Sequence, residues 1–128
     1  MRVLLDTHTL LWAKISPEKL SRQAAEIMAE PLNVIFVSAV SALEIATKVR
    51  LRKLPGLERL ERDFLEIMDQ SGYTLLPIDV ANALRAARFT APHRDPFDRM
   101  IAAQALAMDI PVLSMDQKLD VFGVRRLW

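Results

Sequence analysis

The sequence contains no cysteine. That excludes a disulfide framework, a zinc–thiolate site and a thiol nucleophile, and it fits a reducing compartment. Long apolar runs are lacking as well. The longest stretch without a charge, from Pro31 to Leu43, is 13 residues, too short to span a bilayer. Asp6 interrupts the opening apolar run too early for a secretory leader. Aromatic residues are scarce, at 6%, and are not interleaved with the basic ones, which argues against a row of base-stacking platforms. Nor is there an excess of one sign of charge: 17 Lys and Arg against 16 Asp and Glu leave +1. No overall field therefore draws the chain to nucleic acid. What is abundant is core material. Hydrophobic residues make up 52%, which with the near-zero charge excludes a disordered chain. A length of 128 residues predicts one domain, 1–128, burying roughly two-thirds of its unfolded surface, soluble and cytoplasmic.

Seven prolines and three glycines punctuate short elements. Val3-Leu4-Leu5 reads as a buried strand that stops at Asp6, and Thr7 to Ala13 as a helix. Ser16-Pro17 is a cap followed by a proline at the first helical position, opening a helix to about Ala29. Val34 to Val37 is β-branched and aromatic, a second buried strand. Ser38 or Ser41 caps a helix to about Arg52, which Pro55-Gly56 breaks. Leu57 to Gln70 is amphipathic, with Leu57, Leu60, Phe64, Leu65 and Met68 on one face, and Gly72 closes it as a left-handed cap. Tyr73 to Leu76 is a third strand and Val80 to Arg88 another helix. Asp95-Pro96 opens a helix through Met108. Val112-Leu113 is a fourth strand and Val124 to Trp128 a fifth. Such alternation predicts an α/β fold, a three-layer α/β/α sandwich around a central parallel sheet of about four to five short strands. In sheets of that kind ligands gather beyond the carboxyl ends of the strands.

Four acids stand close to the predicted core. Asp6 ends the first strand, and Asp116 follows the fourth after Ser114-Met115. Glu44 is the only charge between Glu30 and Lys48, and Asp98 lies in the first turn of the Asp95–Met108 helix. Clustered acids repel unless a cation or a proton intervenes. Oxygen ligands without a His or Cys cluster suit Mg²⁺ or Mn²⁺ rather than zinc. An ion so held activates water and stabilises charge on phosphate, the chemistry of metal-dependent nucleases. Each acid also has a plain structural explanation. Asp6 can cap the helix at Thr7, Asp95 the helix at Pro96, and Asp98 can favour its helix dipole. Asp116 can be a turn residue. Glu44 is hardest to explain so, because a glutamate in an apolar helix is rarely buried without a partner.

At these residues the chain resembles the PIN-domain family, in particular VapC-type toxins of toxin–antitoxin pairs. "LLDTHTLLW" (Leu4–Trp12), "SAVSALEIATK" (Ser38–Lys48), "HRDPFDRMIAAQA" (His93–Ala105) and "VLSMD" (Val112–Asp116) follow the order of the four family motifs. The resemblance implies an endoribonuclease using Mg²⁺ or Mn²⁺, leaving a 5′-phosphate and a 3′-hydroxyl. It maps the metal-binding catalytic acids onto Asp6, Glu44, Asp98 and Asp116, with Asp6 and Asp98 the strongest ligands. Thr7 and Ser114 would hydrogen-bond the carboxylates or the metal-bound water. Ser114 departs from the threonine of many relatives but keeps the hydroxyl. Asp95 is a cap or a neighbour of the ligands. The implied partners are RNA, a VapB-like antitoxin and a second copy in a homodimer, within a toxin–antitoxin hetero-oligomer, with no membrane.

His8 is expected to pack or hydrogen-bond while pointing away from the acids, and His93 likewise, although Arg94 and Arg99 beside it are candidate substrate contacts. Lys48, Arg50, Arg52, Lys53, Arg59 and Arg62 form a basic group suited to phosphate contacts or simply to solvent. The strip Leu51, Leu54, Leu57 beside them is core or a groove for an antitoxin helix. Trp12 and Trp128 are expected to anchor the core or a dimer interface. Three rivals compete with the nuclease. A haloacid-dehalogenase-like phosphatase needs an aspartate where His8 stands, and a response-regulator receiver lacks its paired acids here. A non-catalytic RNA- or protein-binding module of the same fold would gain nothing by holding four like charges together.

Overall fold

The computed structural model describes residues 1–53 and 55–128, so that Leu54 of the apolar strip lies outside the described residues. Its strands are β1 (Arg2–Leu5), β2 (Val34–Ser38), β3 (Thr74–Leu76), β4 (Val112–Leu113) and β5 (Arg126–Leu127). All pair in parallel, in the order β3-β2-β1-β4-β5. Leu4 at the centre stands opposite Phe36 on one side and Val112 on the other. Because side chains alternate along a strand, Val3, Leu5, Ile35, Val37 and Leu113 enter one core. Leu4, Phe36 and Val112 enter the other. The first core is covered by α1 (Thr7–Ile15), α2 (Arg22–Ala29), α4 (Glu58–Arg62) and α5 (Phe64–Gln70). The second packs against α7 (Pro96–Met108) and the 3₁₀ turn Gln117–Phe122. The helix α3 (Ala39–Arg50) contributes Ile45 to one core and Val40 to the other, and α6 (Val80–Arg88) packs along α7. The result is the expected three-layer sandwich.

Ile101 of α7 is fully buried in the second core. Its truncation to alanine is expected to cost about 2–5 kcal/mol through lost contacts and the cavity left behind. Urea unfolding measures this, and an unmoved midpoint would contradict the packing described.

Two expected helices are each interrupted. The segment from Ser16 to Ala29 is a 3₁₀ turn at Pro17–Lys19 and then α2, because Leu20 is extended. Ser21 restarts the helix by accepting the Ala24 N–H at 3.0 Å. Leu57 to Gln70 divides at Asp63, whose backbone leaves the helical region at φ −103°, ψ 23°. Beyond that break Leu65 is 71% exposed, whereas Leu57, Leu60 and Met68 are buried. Leu51 is likewise exposed and parts from buried Leu57. Gly72 behaves as expected. At φ 72° it donates to the Asp69 carbonyl at 3.0 Å while Tyr73 donates to Met68 at 3.1 Å, the paired closure of a Schellman motif. Among the described residues, no helix is long and apolar enough to cross a membrane.

The strand order also locates the site. From β1 the chain winds outward through β2 and β3, then returns to the far side of β1 for β4 and β5. The winding therefore reverses between β1 and β4, and a crevice at the carboxyl ends of those two strands follows from the topology.

Candidate metal centre

Asp6 emerges from the carboxyl end of β1 into that crevice and is buried. One of its oxygens accepts the Thr9 N–H at 2.8 Å and so caps α1. The other accepts the hydroxyl of Ser114, from the end of β4. Asp6 is thus a cap through one oxygen, while the other ties the end of β1 to the end of β4. Ser114 Oγ in turn accepts the Asp116 N–H at 2.9 Å, and Asp116 caps its own 3₁₀ turn by accepting from Lys118 at 2.9 Å. A cleft of about 580 Å³ opens here, lined by Asp6, His8 and Trp12 on one side and Met115, Asp116 and Lys118 on the other.

Asp98 arrives from α7. Asp95 caps that helix, accepting from Phe97 at 2.8 Å and Asp98 at 3.2 Å, as its sequence position predicts. Nε2 of His93 lies 2.7 Å from Asp98 Oδ2. Burial holds the Asp98 carboxyl above the usual carboxylate range; the His93 hydrogen bond opposes that rise, and the charges of Asp95 and Asp6 add to it.

Glu44 is buried on α3 and answered by Lys48 Nζ at 2.8 Å. One turn earlier, Ser41 Oγ meets Thr7 Oγ1 at 3.0 Å. Since residues three apart share a helix face, this bond sets the Glu44 side of α3 toward the start of α1. The N-terminal cap of α3 is held in turn by Gln104. It accepts the Ser38 hydroxyl at 2.5 Å and donates to the Pro77 carbonyl at 3.1 Å.

The donors are carboxylates and hydroxyls throughout, which fits a hard divalent cation. Among the described residues, no three acidic or imidazole side chains converge tightly enough to hold an ion as they stand. Magnesium does not require such a cage, because it keeps several waters and is commonly held by one or two carboxylates.

Other expectations are corrected. Arg99 is not a free substrate contact, because all five of its N–H donors face main-chain carbonyls. Nε donates to Ala86 at 2.8 Å, Nη1 to His93 at 2.8 Å and Ala91 at 3.3 Å, and Nη2 to Ala87 at 3.3 Å and to Phe89. Arg94 is exposed. His8, expected to point away, is exposed and lines the cleft, its ring tilted against Trp12 at 6.1 Å. Trp12 lines the same cleft, only half buried, and leans on Trp128. Lys48 belongs to Glu44 rather than to a free basic patch. The sequence reading gave no role to Gln104 and missed the bond from Ser41 to Thr7. The signal for Gln104 was present: it is the one polar residue in the apolar run Met100–Met108.

The chain matches the family model described as PIN domain over residues 3–124. No curated protein matches it. Among solved structures it is similar to VapBC2 from Rickettsia felis bound to a DNA fragment from their promoter. That match has a TM-score of 0.71 and 14% identity, over 99% of this chain and 98% of that one. It is also similar to VapBC-1 from nontypeable Haemophilus influenzae, with TM-score 0.67 and 15% identity, over 99% and 97%. FitAcB from Neisseria gonorrhoeae matches with TM-score 0.64 and 18% identity, over 98% and 96%. At these identities the likeness is one of fold.

Proposed function

The chain belongs to the PIN-domain family, and from that premise we propose that it is a metal-dependent endoribonuclease, the toxin of a VapC-type toxin–antitoxin pair. The observation that carries this reading is buried Asp6 at the reversal of the sheet, held by the Ser114 hydroxyl and sharing a cleft with Asp116. Asp6 and Asp98 would hold Mg²⁺ or Mn²⁺, with Glu44 and Asp116 completing the site directly or through water. When bound, the ion supplies a water activated as nucleophile and stabilisation of charge on the phosphate. The protein's own groups set up that chemistry. Ser114 and the Thr9 N–H fix the two oxygens of Asp6. Thr7 ties the start of α1 to α3 through Ser41, and Asp95 holds the first turn of α7 that presents Asp98. Attack by water rather than by the RNA 2′-hydroxyl would leave a 5′-phosphate and a 3′-hydroxyl. A VapB-like antitoxin and a homodimer belong to the same reading, supported by similarity to VapBC and FitAcB structures.

One observation favours a second reading, a non-catalytic module. Two of the acids already have positive or protonatable partners, Glu44 with Lys48 and Asp98 with His93.

Two measurements on the purified protein separate the readings: cleavage of total cellular RNA with Mg²⁺ or Mn²⁺ and with EDTA, and Mn²⁺ binding by electron paramagnetic resonance. The nuclease predicts cutting that EDTA stops, 5′-phosphate ends, and bound Mn²⁺. Absence of Mn²⁺ binding, or cutting indifferent to EDTA, would overturn it.

A further inference from the structure

The wall of the cleft beyond the acids has no part in the metal chemistry. It consists of Trp12, His8 and Met115, together with the polar Gln117 and Lys118. Met115 is 53% exposed and His8 is exposed as well. Neither arrangement serves a core, and an apolar wall left open beside a polar site is the usual build of a ligand subsite. We propose that this wall is a nucleobase subsite, on which an unpaired base of single-stranded RNA stacks while its phosphate lies toward the acids. The inference rests on the nuclease reading for the phosphate position, and it adds what the enzyme would hold beside that position.

Three observations favour a nucleotide as occupant. First, the wall is continuous with the acids: the same cleft is lined by Asp6 and Asp116, so anything seated on it lies next to the proposed reaction centre. Second, the chemistry is divided as a nucleotide requires, with an indole and a thioether for the base and the Lys118 ammonium for a phosphate. Third, the indole is a prepared platform. Trp12 leans on Trp128 at 5.7 Å between ring centres, tilted by 60°, and Trp128 packs against the first core. An aromatic fixed before binding loses little freedom when a base arrives. Stacking uses the π-face that every base has, so the subsite selects for an unpaired base rather than for one base identity. A base inside a duplex is already stacked on its neighbours and cannot reach it.

Trp12 and Trp128 are the only tryptophans in the chain, so Trp128→Phe leaves Trp12 as sole reporter. That protein, kept in EDTA to prevent cleavage, is titrated with a short single-stranded RNA and with a ribose-phosphate chain of equal length lacking bases. The RNA should quench Trp12 emission and bind more tightly than the abasic chain. In the otherwise wild-type background, followed with a fluorophore-labelled RNA, Trp12→Leu should weaken RNA binding roughly ten- to hundredfold. Trp12→Phe should restore most of it. Met115→Ala, at an exposed position that does not endanger folding, should weaken it severalfold. Equal binding of RNA and abasic chain, or wild-type binding by Met115→Ala and Trp12→Leu, would overturn the proposal. So would a Trp12→Leu protein that binds RNA normally but escapes its antitoxin, because the wall would then belong to the protein partner. Base-dependent binding without any cleavage would leave the subsite standing and remove the nuclease reading. Cleavage with base-independent binding would do the reverse.

Discussion

Asp6→Asn protein is expected to lose RNA cleavage by at least about a hundredfold while melting no earlier than the parent when both are free of metal. The two halves of this expectation have one cause. Asparagine keeps an oxygen that can accept the Thr9 N–H, so the cap of α1 survives. What it removes is a buried negative charge that, behind burial and Asp95, helps to hold the Asp98 carboxyl above its ordinary range. An acid raised in the folded state costs stability once ionised, a cost that grows as pH rises through the raised value. Taking one charge out of the cluster relieves it, as expected where a site holds unfavourable electrostatics for function. Single-turnover cleavage and a thermal melt with and without Mg²⁺ read both quantities. The parent should gain stability on adding Mg²⁺ by mass action, and Asp6→Asn should gain little. Cleavage within tenfold of the parent would show that Asp6 is a helix cap and nothing more.

Arg99→Ala is expected to be the most damaging change outside the hydrophobic cores, lowering stability by about 3 kcal/mol or more and the melting temperature by roughly 10 °C. The end of α6 explains why. Phe89, which follows α6, begins an irregular segment, and the carbonyls of Ala86 and Ala87 in the final turn need partners. The Arg99 guanidinium meets both and continues to Phe89, Ala91 and His93. Its positive charge also suits the negative end of the helix dipole. Its plane sits 5.8 Å from the Phe89 ring and 6.0 Å from Phe122, adding a cation–π contribution. A lysine at this position has three donors at one point rather than five in a plane, so Arg99→Lys should recover only part of the loss. Because the same segment brings His93 to Asp98, cleavage should fall along with stability. Thermal unfolding and limited proteolysis between residues 89 and 93 provide the check. A melting temperature within about 2 °C of the parent would refute the latch.

Much of this architecture was legible because it depends on local chemistry. β-branched and aliphatic runs ended by a polar residue marked β1 and β2 to within a residue. Asp6, Asp95, Asp116 and Ser38 each sit where a cap is needed, and each caps. What escaped the sequence was decided by tertiary contact. The hydrophobic spacing of Leu57 to Gln70 suits one helix, and nothing in it shows that Asp63 leaves helical geometry between α4 and α5. Arg99 looked like a substrate contact, since an arginine beside a candidate acid has no visible reason to be elsewhere. Only the packing of α6 along α7 shows which carbonyls surround it. Trp12 looked like an anchor of the core or of a dimer interface, because scarce aromatics set apart from the basic residues give no sign that one of them lines a cleft. At the candidate site, Asp6, Ser114 and Asp116 were readable as residues at or just beyond strand ends, whereas the partners of the two helical acids, His93 for Asp98 and Lys48 for Glu44, were not.

The bond between Ser114 and Asp6 joins residues 108 positions apart. Its consequence lies in the time at which the crevice comes into being. At the usual pace of 5–20 residues per second, a ribosome takes roughly 5–20 s to travel that separation. For that interval the emerging polypeptide carries its first acid without the strand that completes the pocket. β2 can pair with β1 early, but β4 must be made, released from the exit tunnel and inserted beside β1 before the crevice has a second wall. A chain that has not yet reached Ser114 thus lacks the crevice, and whatever the crevice does must wait until β4 is made and paired.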